Sequence, residues 1–223
     1  MMNPDRKLWN KQQQELRQNL ARTDSHQKAM ELFLSQHAMV HAADMSHAGL
    51  WSFEDEILEG VKGNQMRLIP NKCTHSLAWV LWHMTRIEDV TMNLLVAGSP
   101  QVLLRENWLE RMQISLRDTG NAMTTTAVME LSDNINLETL RAYRLSVGRR
   151  TREIALQLLP EQIKKKVEPN RLQQIAREEA VVEAASGLLD YWSGLTIAGL
   201  LLMPPTRHNF IHWNEALRIK KKS

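Results

Sequence analysis

Cysteine is almost missing from this chain of 223 residues: Cys73 stands alone, so no intramolecular disulfide can form and a cytoplasmic compartment is expected. Tyrosine and phenylalanine together number five, and runs of β-branched residues are scarce. Trp, Leu, Met and Ala supply the apolar material instead, a bias that favours helices over strands. No Gly/Ser/Pro-rich linker interrupts the sequence, so a single domain is expected despite a length that also permits two. Long apolar runs are missing too. The most apolar window, Gly194 to Met203, extends about ten residues before Pro204 and Pro205, roughly half of what a membrane-spanning helix needs. The N-terminus, MMNPDRKLWNKQQQ, is too polar for a signal peptide. Membrane association is therefore not expected.

Large charge excess is also absent. The formal net charge is +3 and the pI about 9.1, with basic groups scattered apart from Arg149, Arg150 and Arg152, Lys164 to Lys166, and Lys220 to Lys222. Such clusters usually mark solvated helix faces or tails. With no DNA-reading motif and no basic stripe interleaved with aromatics, nucleic acid is not an expected partner. Apolar residues make up 43% and charged residues 24%, enough for a sizeable core.

Residues 1–24 are polar and Gln-rich and read as an extension that is helical at most in part, with the ordered domain, 25–223, starting near Thr23 or Ser25. From Ser25, a candidate cap, Met30, Phe33, Leu34, His37, Val40 and His41 recur at helical spacing, and Trp51, Phe53, Ile57, Leu58 and Val61 continue the pattern towards Gly63. After Ile69-Pro70-Asn71, Thr74 or Ser76 opens the strongest helix, Leu77 to Val96, closed by Gly98. Residues 99–136 mix short helical patterns with polar breaks and read as a long crossover. A long helix follows from Leu137 to Leu159, ended by Pro160; two further patterns cover 172–186 and 188–202. Pro204-Pro205 reads as a rigid corner before a last helix, Arg207 to Ile219, with Thr206 as its N-cap. The layout predicts an all-α bundle with extra short helices in its connections.

The last helix contains His208-x3-His212, and residues four apart on a helix share a face, so two imidazoles can chelate one ion. Alone the spacing is weak: among eight histidines, His37 and His41 repeat it. His83 lies in the apolar stripe Leu77, Val80, Met84, Ile87, Thr91 and Leu94 of the strongest helix. A lone histidine there is more often a core residue satisfied by a hydrogen bond than a ligand, but buried it needs a partner of some kind.

The segment Ser76-Leu77-Ala78-Trp79-Val80-Leu81-Trp82-His83-Met84-Thr85-Arg86-Ile87-Glu88-Asp89, followed by Asn93 and Gly98, together with His208-x3-His212, resembles the DinB-like family of metal-binding helical bundles over roughly residues 25–219. The resemblance implies an up-down-down-up four-helix bundle with a long crossover. It also implies His83, His208 and His212 as ligands of one divalent transition metal, with zinc or nickel the expected ion. Additions in 99–136 and 160–190 exceed a minimal member, and His37, His41 and His47 have no role in the family pattern; His37 and His41 are expected to be supporting or structural residues.

Three neutral imidazoles leave an ion's full charge and an open coordination position, the catalytic rather than the structural pattern. Bound water or thiol is made nucleophilic there. The resemblance thus implies a thiol S-transferase or detoxification enzyme acting on a low-molecular-weight thiol and an electrophile. A metal-dependent hydrolase is the alternative, with Glu88, Asp89 or Glu215 as candidate bases, and a non-catalytic, stress-related metal-binding module is a third reading. Glu215, three residues after His212, suits a solvent-facing carboxylate or a partner for an imidazole N–H better than a base. Trp79, Trp82, Trp108, Trp192 and Trp213 read as core, Trp79 and Trp82 projecting roughly 40° and 100° from His83 around the helix. A homodimer is expected only from the family and from the apolar surplus of 188–203.

Overall fold

The computed structural model describes residues 3–223, and among them every regular element is helical; the one β-type pairing is an isolated bridge between Lys166 and Thr196. No helix of the described residues is long and apolar enough to cross a membrane.

The polar N-terminal segment departs from the expectation of an extension. Apart from residues 1 and 2, which lie outside the described residues, it forms α1 (Pro4–Leu20), capped by the Asn3 side chain, which accepts from the Asp5 amide at 2.8 Å. Only Trp9, Leu16 and Leu20 are buried, too few to read as an apolar stripe among lysines, arginines and glutamines. Those few anchor it firmly. The Trp9 ring stacks on Phe210 at 4.0 Å and its indole N–H donates to the Gln36 carbonyl.

The chain then enters α2 (His26–Met39), preceded by a 3-10 turn at Thr23–Ser25 rather than a capping contact from Ser25. Gly49, at φ 65°, sits in a non-helical stretch that separates α2 from a helix shorter than the pattern suggested, α3 (Phe53–Leu58); α4 (Gly63–Arg67) follows. Ser76 caps α5 (Leu77–Asp89), its hydroxyl accepting from the Trp79 amide at 3.0 Å. The helix continues through π-helical turns, Val90–Ala97, to Gly98, whose φ of 64° closes it as expected. The crossover holds α6 (Trp108–Met112) and α7 (Thr125–Asn134). The long α8 (Leu137–Gln157) starts at the Asn136 cap and stops before Pro160. The later patterns resolve into α9 (Pro169–Arg177), α10 (Gly187–Ser193) and α11 (Ile197–Leu202), shorter than the two helices expected.

The proline corner is not there. Met203–His208 continues α11 as π-helical turns directly into α12 (Asn209–Lys220). Pro205 lacks the N–H that would bond the Leu201 carbonyl, and the hydroxyl of Thr206 supplies the missing donor, 3.0 Å from Leu201 O and 2.9 Å from Leu202 O. Thr206 is thus an internal helix residue that mends the proline defect, not a cap. Gln13 of α1 adds a second donor to Leu202 O at 2.9 Å.

α5 packs against α8 and α12, while α2 packs on α1 and α8. Two apolar clusters fill the interior. One gathers Phe53, Trp79, Trp82, Tyr143, Phe210 and Trp213; the other gathers Phe33, Ile87, Leu95, Ile154, Trp192 and Leu200. α5 contributes to both, so its polar residues between them are buried with it. These include His83, Arg86, Glu88 and Asp89.

Candidate metal centre

The three histidines singled out by motif meet in space. His83 comes from the middle of α5, His208 from the last π-helical turn, and His212 from one turn further into α12. His83 Nε2 lies 3.2 Å from His208 Nε2, and the ring centroids are 5.0 Å (His83–His208), 4.8 Å (His83–His212) and 4.5 Å (His208–His212) apart. One ligand nitrogen from each lies within 4.8 Å of the others, the spread a single ion can bridge. His83 is buried, whereas His212 keeps 17% of its side chain exposed, so the cluster is reached from the α12 side.

Two of the three rings are oriented through their second nitrogen. His83 Nδ1 donates to the Thr119 carbonyl at 2.6 Å, which leaves Nε2 as the lone-pair nitrogen facing the cluster. His212 Nδ1 donates to Glu215 at 2.7 Å, with the same consequence. Such outer contacts fix tautomer and direction in metal-binding histidines. His208 is different: its Nδ1 is buried with no partner among the described residues. Burial, then the neighbouring His212, pushes the His83 pKa down to about 3, and burial beside His83 and His212 holds His208 well below its usual value. Both rings are therefore neutral at physiological pH, the state that ligation needs.

Sequence reasoning overlooked His75. Its Nδ1 donates to the other oxygen of Glu215 at 2.7 Å, so that one carboxylate receives both His75 and His212. Burial opposes the charge of Glu215, but these two hydrogen bonds prevail and hold its pKa down at about 2. The His75 ring stacks on Trp79 at 3.6 Å, and Trp79 stacks on His83 at 4.6 Å with the planes 6° apart. Trp79 is accordingly a wall of the site as well as a core residue. The spacing of four from His75 to Trp79 and again to His83 was the signal available in the sequence.

His37 of α2 and His41, two residues past its end, form a second group with Glu88 of α5, whose ligand atoms also lie within 4.8 Å of one another and which could hold an ion. His37 Nε2 stands 2.8 Å from Glu88 Oε1 and His41 Nε2 2.9 Å from Oε2, all three residues fully buried. Asn209 Nδ2 donates to Glu88 Oε2 at 2.8 Å. Burial works against the Glu88 carboxylate, yet its contacts with His41 and His37 hold its pKa well below the usual range. Burial, followed by the positive charge of Arg144, takes His41 down to about 3.

Asp89, a candidate base, is committed elsewhere. It accepts from the amides of Val102 and Leu103, from Asn93, from the Tyr143 hydroxyl and from Arg86, and so pins the start of the crossover to α5. His47 belongs to neither group.

No family model matches the chain, and no curated protein matches it either.

Proposed function

We propose that His83, His208 and His212 bind one divalent transition metal, zinc or nickel, and that the protein is a metal-dependent thiol S-transferase of the DinB-like type. The observation that carries the metal reading is the convergence of three imidazoles, two of them turned inward by Thr119 O and Glu215. The likeness of the Trp79-to-Asp89 segment and of His208-x3-His212 to DinB-like motifs supports the same ligand set and, with it, an up-down-down-up order of the long helices.

His83, His208 and His212 would hold the cation through three neutral imidazoles, and a cation so held would supply Lewis acidity that lowers the pKa of a bound thiol. The thiol proton would pass to solvent water, the thiolate sulfur would attack an electrophilic carbon, the bond from that carbon to the leaving group would break, and the leaving group would depart with the electron pair. A hydrolase would need a carboxylate free to take a proton from water, whereas Glu88 accepts from three donors, Asp89 from five, and Glu215 from His75 and His212. The partners are then a low-molecular-weight thiol and a small electrophile, reaching the site past His212 and His75.

The test is elemental analysis of untagged protein with His83→Ala and His212→Ala variants, followed by assay of thiol transfer to a chromogenic electrophile. One equivalent of metal, lost in both variants together with transfer activity, is expected. Protein that binds neither zinc nor nickel would return the three histidines to the core; metal without thiol transfer would remove the transferase assignment.

A further inference from the structure

His208 is the one member of the three-histidine centre whose second nitrogen holds nothing. Its orientation must come from the backbone that carries it, and the residue after it, Asn209, is anchored twice. Asn209 Nδ2 donates to Glu88 Oε2 at 2.8 Å and to the Pro205 carbonyl at 3.2 Å. Glu88 is itself five residues beyond His83 on α5 and fixed by His37 and His41. One carboxylate thus ties the helix of His83 to the turn of His208.

The Glu88 group has the spacing of an ion site, but both of its rings, like His208 and unlike His83 and His212, lack a partner at Nδ1 among the described residues. An ion would occupy the Nε2 lone pairs of His37 and His41 and force their protons onto Nδ1, where neither ring has an acceptor. His41 Nδ1 instead abuts Gly148, so closely that a Cβ there would lie 2.9 Å away. With protons on Nε2, both rings donate to Glu88 and no buried donor is stranded. The result is a buried carboxylate that accepts from three donors, His37, His41 and Asn209.

We propose that Glu88 is a positioning residue for the three-histidine centre: through Asn209 it fixes the turn carrying His208, and its buried charge offsets that of a divalent cation bound by three neutral imidazoles. The proposal rests on the metal reading given above. Removing outer partners of metal ligands weakens binding by about 10- to 100-fold, and the same range is expected for Glu88→Gln titrated with Zn2+ against a chelating dye. The visible bands of bound Co2+ shift in that variant. Asn209→Ala leaves Glu88 with His37 and His41 and weakens Zn2+ binding by about 10-fold. Arg171→Gln, which removes the donors to the Leu95 and Val96 carbonyls at the far end of the helix, lowers stability but leaves Zn2+ affinity and the Co2+ spectrum as in the unaltered protein.

A folded Glu88→Gln protein with unchanged Zn2+ affinity and Co2+ spectrum overturns the proposal. Should that variant not fold, unchanged affinity in Asn209→Ala overturns it equally. Two Zn2+ per chain, one lost in His41→Ala and retained in His83→Ala, would also overturn it by making Glu88 a ligand. Failure of the unaltered protein to bind Zn2+ or Co2+ removes the centre itself, a result distinct from a centre indifferent to Glu88.

Discussion

Acid should destabilise this protein through His41 by an amount the structure sets. In the unfolded chain an imidazole titrates near 6.5, whereas burial and the charge of Arg144 take folded His41 to about 3. Above pH 6.5 both states leave it neutral and stability is unaffected. Between 6.5 and about 3 the unfolded chain takes up a proton that the folded chain refuses, so stability falls as pH drops. At about pH 4.5 the gap is two pH units, and at about 1.36 kcal/mol per unit His41 alone costs about 3 kcal/mol relative to neutral pH. The assay is urea unfolding at about pH 7.5 and about pH 4.5 with a chelator present, on the unaltered protein and on His41→Gln, whose amide N–H can still donate to Glu88. Groups that do not contact His41 titrate in both proteins and cancel in the comparison; Glu88, whose carboxyl His41 helps hold down, adds a change of the same sign. The loss on acidification should be smaller in the variant by about 3 kcal/mol. Equal losses in the two proteins would mean that folded His41 titrates normally and that its burial among Glu88, Gly148 and Arg144 has been misread.

Three further outcomes follow from the packing. Trp9→Ala removes the ring stacked on Phe210 and should lower unfolding stability by about 3–5 kcal/mol; a surface-like loss below about 0.5 kcal/mol would detach α1 from the core. Gly148→Ala drives a methyl to 2.8 Å from Met45 Cγ and 2.9 Å from His41 Nδ1 and should cost about 1–3 kcal/mol in the same assay, where an unchanged midpoint would show that α8 and the segment 41–45 after α2 are less closely packed. Thr206→Val keeps the shape but strips the donor from the Leu201 carbonyl left open by Pro205, for a loss of about 1–3 kcal/mol; a neutral result would mean that another group covers that carbonyl.

Much of the site was legible because helices convert sequence spacing into direction. His208 and His212 had to share a face, and His83 had to lie on the apolar side of a strongly patterned helix capped at Ser76 and ended at Gly98. The Glu215 contact with His212 was foreseeable for the same reason, three residues being most of a turn. His75 escaped notice because it precedes the helix cap, where periodicity no longer says which way a side chain turns. The proline corner failed for a different reason. Proline forbids one particular hydrogen bond, and whether the chain breaks or widens into π-helical turns depends on a donor such as Thr206 or Gln13 arriving to cover the carbonyl.

Composition and periodicity determined the all-helical class and the main helix boundaries from Ser76 to Pro160, since each depends on neighbours within a turn or two; they put His208 and His212 on one face and His83 on an apolar one, while the three as a ligand set came from the resemblance to DinB-like motifs. Tertiary structure alone decided that α1 belongs to the core. Its three buried side chains count only against Phe210, Gln36 and their surroundings, far away in sequence. It also decided which pair of histidines faces other imidazoles and which faces a carboxylate. His37-x3-His41 and His208-x3-His212 are the same local pattern, and only the packing of α2 and α12 on opposite ends of the His83-to-Glu88 stretch gives them different chemistry.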